Sequence, residues 1–222
     1  RVLEVGCGNG YNCFALRDRL STFTFTGVDY VGKMVENALH IRDGAKNRYR
    51  RLKFFEGNIL ELNKNKNLEP NYSIVFTNRC LINLNTSRLQ LEAWDELVEK
   101  TATGGNLIIV ENTMQNYARQ NECRSILGLK PRQPAVYNLF LDEAVFLRHA
   151  SRQTDLQYVE DFGSLHDIVL YALVPAVNNG GIDYDHPIVH AATKLSESLS
   201  AEYPSSFGAF GQNRLFMFKK KK

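Results

Sequence analysis

Cysteine is scarce, four in 222 residues, and Cys7, Cys13, Cys80 and Cys123 form no CxxC pair. That scatter excludes a disulfide framework or a zinc ribbon and reads as reduced thiols in a cytoplasmic protein. No apolar run approaches the roughly 20 residues of a membrane-spanning helix, and no signal-peptide pattern is present. Charge of one sign is also lacking, with a net of only +3, so the bulk balance by itself indicates neither nucleic acid nor an acidic surface as partner. What is there is ordinary for a globular enzyme: 44% hydrophobic and 23% charged residues, enough apolar material for a core without metal or disulfide staples. The length suits one large domain, 1–222. The chain opens directly on a strand, Val2-Leu3-Glu4-Val5, which carries the expectation of further residues upstream.

Through Val110 strand and helix patterns alternate, predicting a parallel sheet covered on both faces. Strands are expected at 2–5, 23–29, 52–56, 72–77 and 106–111, with helices at about 11–20, after Gly32, and at 87–100. The last helix places Leu91, Trp94, Leu97 and Val98 on one face. Thr103-Gly104-Gly105 is read as the end of that unit. Residues 113–137 are polar, contain Pro131 and Pro134, and read as an insertion rather than a core element. A helix at 142–151, a strand at 156–162, a long excursion at 163–211 and a last strand at 214–218 complete the chain.

The strongest motif is Leu3-Glu4-Val5-Gly6-Cys7-Gly8-Asn9-Gly10, a G-x-G-x-G loop between a strand and a helix. Glycines there let the chain turn tightly and bring bare backbone against a ligand. The dinucleotide loop is spaced G-x-G-x-x-G, and the Gly-Lys-Ser/Thr ending of a phosphate-binding P-loop is absent. Asp29, nineteen residues past Gly10, ends the second strand and is placed to accept hydrogen bonds from two ribose hydroxyls.

Val2 through Leu16, Thr26-Gly27-Val28-Asp29-Tyr30 and Phe55-Glu56-Gly57-Asn58-Ile59 resemble the first three motifs of class I S-adenosylmethionine-dependent methyltransferases. Gly104-Gly105-Asn106-Leu107-Ile108-Ile109 resembles the glycine pair and fifth strand of the same family. The resemblance implies a Rossmann-like, doubly wound α/β fold with a mostly parallel seven-stranded sheet, an antiparallel last strand and cap insertions at 113–137 and 163–211. It implies S-adenosylmethionine as cofactor and S-adenosylhomocysteine as product. Gly6, Cys7, Gly8, Asn9 and Gly10 would hold the methionine part, with Glu4 ordering the loop. Asp29 would bind the ribose, Tyr30 and Met34 would pack near the base, and Asn58, Ile59 and Thr77 would complete the set. Asn58 departs from the family's commoner Asp, yet an amide still hydrogen-bonds adenine.

Methyl transfer asks chiefly for alignment and exclusion of water, so a weak catalytic signature is expected. After strand four, Thr77-Asn78-Arg79-Cys80-Leu81-Ile82-Asn83 lacks the Asn/Asp-Pro-Pro-Tyr/Phe motif of enzymes that methylate amino groups of bases or glutamine. Asn78 and Arg79 are therefore candidates for facing the acceptor, and Glu111, at the end of strand five, is the candidate general base. His166 is a second acid/base candidate after the sixth strand. The oxygen ligands near strands four and five are too few for a magnesium site, and His186 and His190 lack a third ligand.

Two basic runs, 46–53 and 219–222, suggest RNA, but both fall at the amino ends of the parallel strands, away from a cofactor at the carboxyl ends. The insertion differs: Arg119, Arg124, Lys130 and Arg132 outnumber Glu122 and start on the active face. Arg119, Arg124 and Asn138 join Arg79 as acceptor-binding candidates for an anionic group. Asn121-Glu122-Cys123-Arg124, Gly128-Leu129 and Asn138 through Glu143 resemble bacterial small-molecule methyltransferases of surface-glycan pathways. That implies O-methylation of a sugar or sugar phosphate and a place in polysaccharide biosynthesis. An RNA methyltransferase and a non-catalytic scaffold are the rival readings.

Overall fold

Residues 1–200 and 207–222 are described by a computed structural model. β1 (Val2–Val5) sends Leu3 and Val5 to one face and Val2 to the other, as the two-residue repeat of a strand requires. β2 (Phe25–Asp29), β3 (Leu52–Glu56), β4 (Tyr72–Asn78) and β5 (Thr101–Asn112) run parallel to it. β6 (Thr154–Phe162) and β7 (Asn213–Lys220) complete a seven-stranded sheet in the order β3-β2-β1-β4-β5-β7-β6, with β7 antiparallel to both neighbours. The expected doubly wound sheet and antiparallel last strand are both present.

Five helices cover or flank it: α1 (Tyr11–Arg19), α2 (Gly32–Gly44), α3 (Ser87–Lys100), α4 (Met114–Ile126) and α5 (Glu143–Ala150). Phe14, Val35 and Ala38 of α1 and α2 pack on Phe25, Leu52 and Phe54. On the other face Trp94 and Leu97 of α3 and Phe146 of α5 meet Leu107, Ile109 and Phe218. Trp94 is fully buried, its ring edge-on to Phe146 and Phe218 at 5.1 and 4.9 Å between centroids. Side-chain capping starts α3, α4 and α5. Thr86 accepts from the Leu89 amide, Thr113 from Asn116, and Asp142 from Ala144 and Val145.

Two expectations need correction. Thr103-Gly104-Gly105 does not end a unit: β5 starts at Thr101 and runs through it as a bulge, Tyr72 pairing with Thr101 and Ile74 with Asn106. Gly104, at φ +70°, supplies the left-handed residue that bulge needs. Residues 113–137 hold a docked element, α4, whose inner positions Asn116, Gln120 and Arg124 are polar and buried. Apolar periodicity cannot reveal a helix that packs through amides and a guanidinium. The 163–211 excursion is helical over α6 (Ser164–Ile168), a π turn at Val169–Leu173, α7 (Val174–Val177) and α8 (Pro187–Ser200). It carries a small core of its own around Leu170, Val174 and Val189. Residues 201–206 of that excursion lie outside the described residues. No helix among the described residues is long and apolar enough to cross a membrane.

Candidate active site

The carboxyl ends of β1, β2, β3 and β4 converge on one cleft of about 540 Å³. Gly6, Gly8 and Gly10 all have positive φ, the conformation in which an L side chain is strained. Gly6 has no room either: a Cβ there would lie 2.6 Å from Cys80 Sγ. Gly8 faces open space. Glu4, buried beneath the loop, accepts from Asn12 Nδ2 at 2.8 Å and Cys13 Sγ at 3.0 Å, tying β1 to α1. Burial raises its carboxyl to about 7 and pushes the Cys7 and Cys13 thiols well up, so neither thiol is a reactive thiolate.

Asp29 stands where β2 meets the loop. Its Oδ2 accepts from the Gly8 amide at 2.7 Å and its Oδ1 from the Val31 amide at 2.9 Å. Each oxygen keeps a lone pair for a hydroxyl on the cleft side. Tyr30, Asn58 and Ile59 line the same cleft. Asn58 caps the 3-10 turn Ile59–Lys64 by accepting from the Leu60 amide, which leaves its NH2 free to donate. The opposite wall is the turn after β4, with Arg79, Cys80, Asn83 and Leu84. Arg79 adopts φ +54°, a left-handed conformation rare outside glycine.

Residues 1–154 match the sequence profile of a family described as "Methyltransferase domain". The chain belongs to the methyltransferase domain family. No curated protein sequence matches it. Among solved structures the methyltransferase resembles magnesium protoporphyrin IX methyltransferase of Synechocystis PCC 6803 with bound S-adenosylhomocysteine. That pair shares a TM-score of 0.59 and 12% identity, over 99% of this chain and 74% of the other. A chain of the complex between the Haloferax volcanii Trm112 methyltransferase activator and a methyltransferase gives 0.64 at 16%, over 100% and 82%. Geranyl diphosphate C-methyltransferase of Streptomyces coelicolor A3(2) gives 0.60 at 10%, over 99% and 70%. At such identities the likeness establishes the fold.

S-adenosylmethionine is the cofactor of this family, and the cleft suits it. A glycine loop open at Gly8, a ribose-type carboxylate at Asp29 and an aromatic, amide and aliphatic group at Tyr30, Asn58 and Ile59 match its three parts in turn. Of the expected cofactor set, Gly6, Asp29, Tyr30, Asn58 and Ile59 line the cleft. Glu4, Gly8 and Gly10 shape the loop, Cys7 is buried behind it, and Asn9 is exposed on it. Met34 is exposed on α2 and outside the lining. Thr77 is fully buried, its hydroxyl 3.5 Å from Glu111, and so braces the wall from behind.

The acceptor-side candidates of the methyltransferase divide. Asn78 and Arg79 are exposed at the end of β4, Arg79 within the cleft lining. Glu111 is fully buried and spends both carboxylate oxygens on the amides of Cys80, Leu81 and Ile82, which corrects its reading as a general base. His166 is held inside the helical excursion, Nδ1 2.8 Å from Thr193 Oγ1, and burial lowers its pKa. Arg124 is buried and donates to the carbonyls of Lys130 and Tyr171, while Arg119 donates to Asn116 Oδ1 and the Ala209 carbonyl. Both guanidiniums donate to backbone or amide oxygens within the fold, and neither lines the cleft. Asn138 is half-buried beside Leu139, whose amide bonds the Ile82 carbonyl. Sequence reasoning passed over Cys80, Asn83 and Leu84, which reach the cleft through a short 3-10 turn (Leu81–Asn83) with no motif of its own.

Proposed function

We propose that this methyltransferase moves the methyl group of S-adenosylmethionine to an oxygen of a small, polar, anionic acceptor, a sugar or sugar phosphate of surface-glycan assembly. Arg79 carries the reading: an exposed guanidinium on the cleft wall with no ion-pair or hydrogen-bond partner for its side chain among the described residues. Its strained φ is held by surrounding structure, a state that clusters at functional sites. A guanidinium pairs carboxylate and phosphate through two parallel hydrogen bonds. Asn78, exposed one residue before, would orient the acceptor.

The bound cofactor supplies a methyl carbon already activated by its sulfonium, so the chain has to bind, align and shield. The titratable groups of the cleft are Asp29, Tyr30, Arg79 and Cys80, the thiol pushed well up by burial. No histidine or glutamate is among them, and Asp29 is engaged by two loop amides. That favours an acceptor oxygen already ionised, as in a sugar acid or phosphate, over a neutral hydroxyl. Both 113–137 and 163–211 leave the sheet at its carboxyl end, after β5 and β6, which supports their reading as acceptor caps. Two of the neighbours are named for a diphosphate and a magnesium porphyrin, small acceptors rather than RNA.

The basic runs fit the RNA reading poorly. Arg50, Arg51 and Lys53 line a separate concavity with Phe25 and Tyr72, at the amino ends of the strands. Lys220 and Lys221 donate to the carbonyls of Val98, Thr101 and Ser151.

Calorimetric titration of S-adenosylmethionine and S-adenosylhomocysteine tests the cofactor half. Micromolar binding by wild type and its loss in Asp29→Ala are expected, whereas a folded wild type that binds neither would remove the reading. Turnover of sugar acids and sugar phosphates that is lost in Arg79→Ala tests the acceptor half. Tight, steeply salt-dependent RNA binding would favour the rival.

A further inference from the structure

We infer that Glu111 is a positioning residue for the cleft: from the buried end of β5 its carboxylate grips the turn after β4 and holds Arg79 and Cys80 in place. The inference rests on the reading of the cleft as the cofactor and acceptor site. Three consecutive amides converge on this one side chain, Cys80 and Leu81 on Oε1 at 2.9 Å each and Ile82 on Oε2 at 3.3 Å. Leu81 and Ile82 are shut off from solvent, so water cannot replace the carboxylate as acceptor. A carboxyl group this deep is tolerated only where hydrogen-bond partners surround it, and these amides, with the Thr77 hydroxyl, are those partners.

The grip reaches both sides of the cleft. The residue before the three amides is Arg79, whose left-handed backbone is pinned by its own amide on the Val110 carbonyl at 2.8 Å and by Asn83 Nδ2 on its carbonyl at 2.9 Å. Val110 and Glu111 are neighbours on β5, so the end of that strand dictates where the acceptor wall stands. On the other side Cys80 packs against the glycine loop closely enough that Gly6 has no space for a Cβ. Gln90 Nε2 on the Leu81 carbonyl, at 3.2 Å, and the Leu139 amide on the Ile82 carbonyl, at 2.8 Å, buttress the turn from α3 and from the 113–141 region. Those two contacts hold carbonyls. Among the described residues Glu111 alone serves the three amides, so a change there frees the turn while its outer supports remain.

Glu111→Gln replaces one accepting oxygen by an NH2 group that cannot accept. Loss of one such buried bond weakens S-adenosylhomocysteine binding about tenfold. The same variant should raise KM for cofactor and acceptor more than it lowers kcat, whereas loss of a general base would lower kcat with homocysteine-product binding intact. Hydrogen exchange supplies a readout independent of activity: the amides of Cys80, Leu81 and Ile82 should lose protection while those of β4 and β5 keep theirs. Glu111→Asp, which keeps both carboxyl oxygens on a shorter arm, should recover part of both. Wild-type protein that fails to bind S-adenosylhomocysteine would sink the cofactor reading beneath the inference. Wild-type binding with an unchanged affinity or unchanged turn protection in Glu111→Gln would overturn the inference alone. So would unfolding, or loss of protection throughout the sheet, in both variants, because Glu111 would then serve the fold and not the cleft.

Discussion

Gly6 and Gly8 separate two reasons for glycine that a motif merges. Both need positive φ, but only Gly6 is also closed in, by Cys80 on the facing turn. Gly8→Ala should cost about 1 kcal/mol of backbone strain and leave cofactor binding within tenfold. Gly6→Ala adds a collision and should displace the turn, weakening S-adenosylhomocysteine binding well beyond that of Gly8→Ala. Equal affinities for the two variants, measured by calorimetry, would show that the Gly6–Cys80 contact is of no consequence. The glycines and Asp29 were legible because each sits at a spacing that one ligand geometry explains. The true partner of Glu111 was not legible, since a carboxylate at a strand end looks the same whether it faces a substrate or three amides thirty residues earlier.

At the scale of the element, α4 inverts the usual rule. Its inward positions Asn116, Gln120 and Arg124 are spaced four apart, so they share a face, and they bond backbone carbonyls where an apolar stripe would be expected. Asn116 Nδ2 donates to Asp161 and to the Gly211 carbonyl, Gln120 Nε2 to the Phe210 carbonyl at 2.6 Å, and Arg124 to the Tyr171 carbonyl. Arg132 lies over the Tyr171 ring, 3.5 Å from its centroid, and joins the same junction. Removing one such side chain strands buried partners, so Asn116→Ala should destabilise the protein by about 1–3 kcal/mol. Chemical denaturation would register it, and a change below a few tenths would show that the junction is hydrated. A polar junction of this kind is invisible to hydrophobic periodicity, which is why α3, with Trp94 and Leu97 inward, was read from sequence at its observed bounds and α4 was not.

For the molecule as a whole, burial sets the pH response. Glu4, Glu111 and Asp167 are each raised to about 7 from ordinary values of 4.5, 4.5 and 3.8. Between those ordinary values and pH 7 the folded chain holds protons that the unfolded chain has released. Stability therefore falls as pH rises through this window. Asp18, Asp43 and Glu69, held low by Arg48, Arg42 and Lys53 respectively, act oppositely and withdraw stability below their ordinary values of 3.8, 3.8 and 4.5. The stability maximum is therefore expected at the acid end of this window, near pH 4.5, where the two sets of groups offset each other. A melting temperature that climbs steadily from pH 5 to 8 would contradict it.

The sequence by itself determined the alternation of strands and helices through Val110, the glycine loop, the Asp29 carboxylate and the family, because each of these is written in local spacing. Strand period, helix period and turn chemistry act over a few residues and survive without knowledge of neighbours. Only the tertiary structure decided what Glu111, Arg119, Arg124 and His166 touch. Burial and hydrogen-bond partners come from residues about thirty to ninety positions away, brought together by strand order. A charged side chain free in one packing is consumed in another, and the free energy that chooses between them belongs to the assembled core.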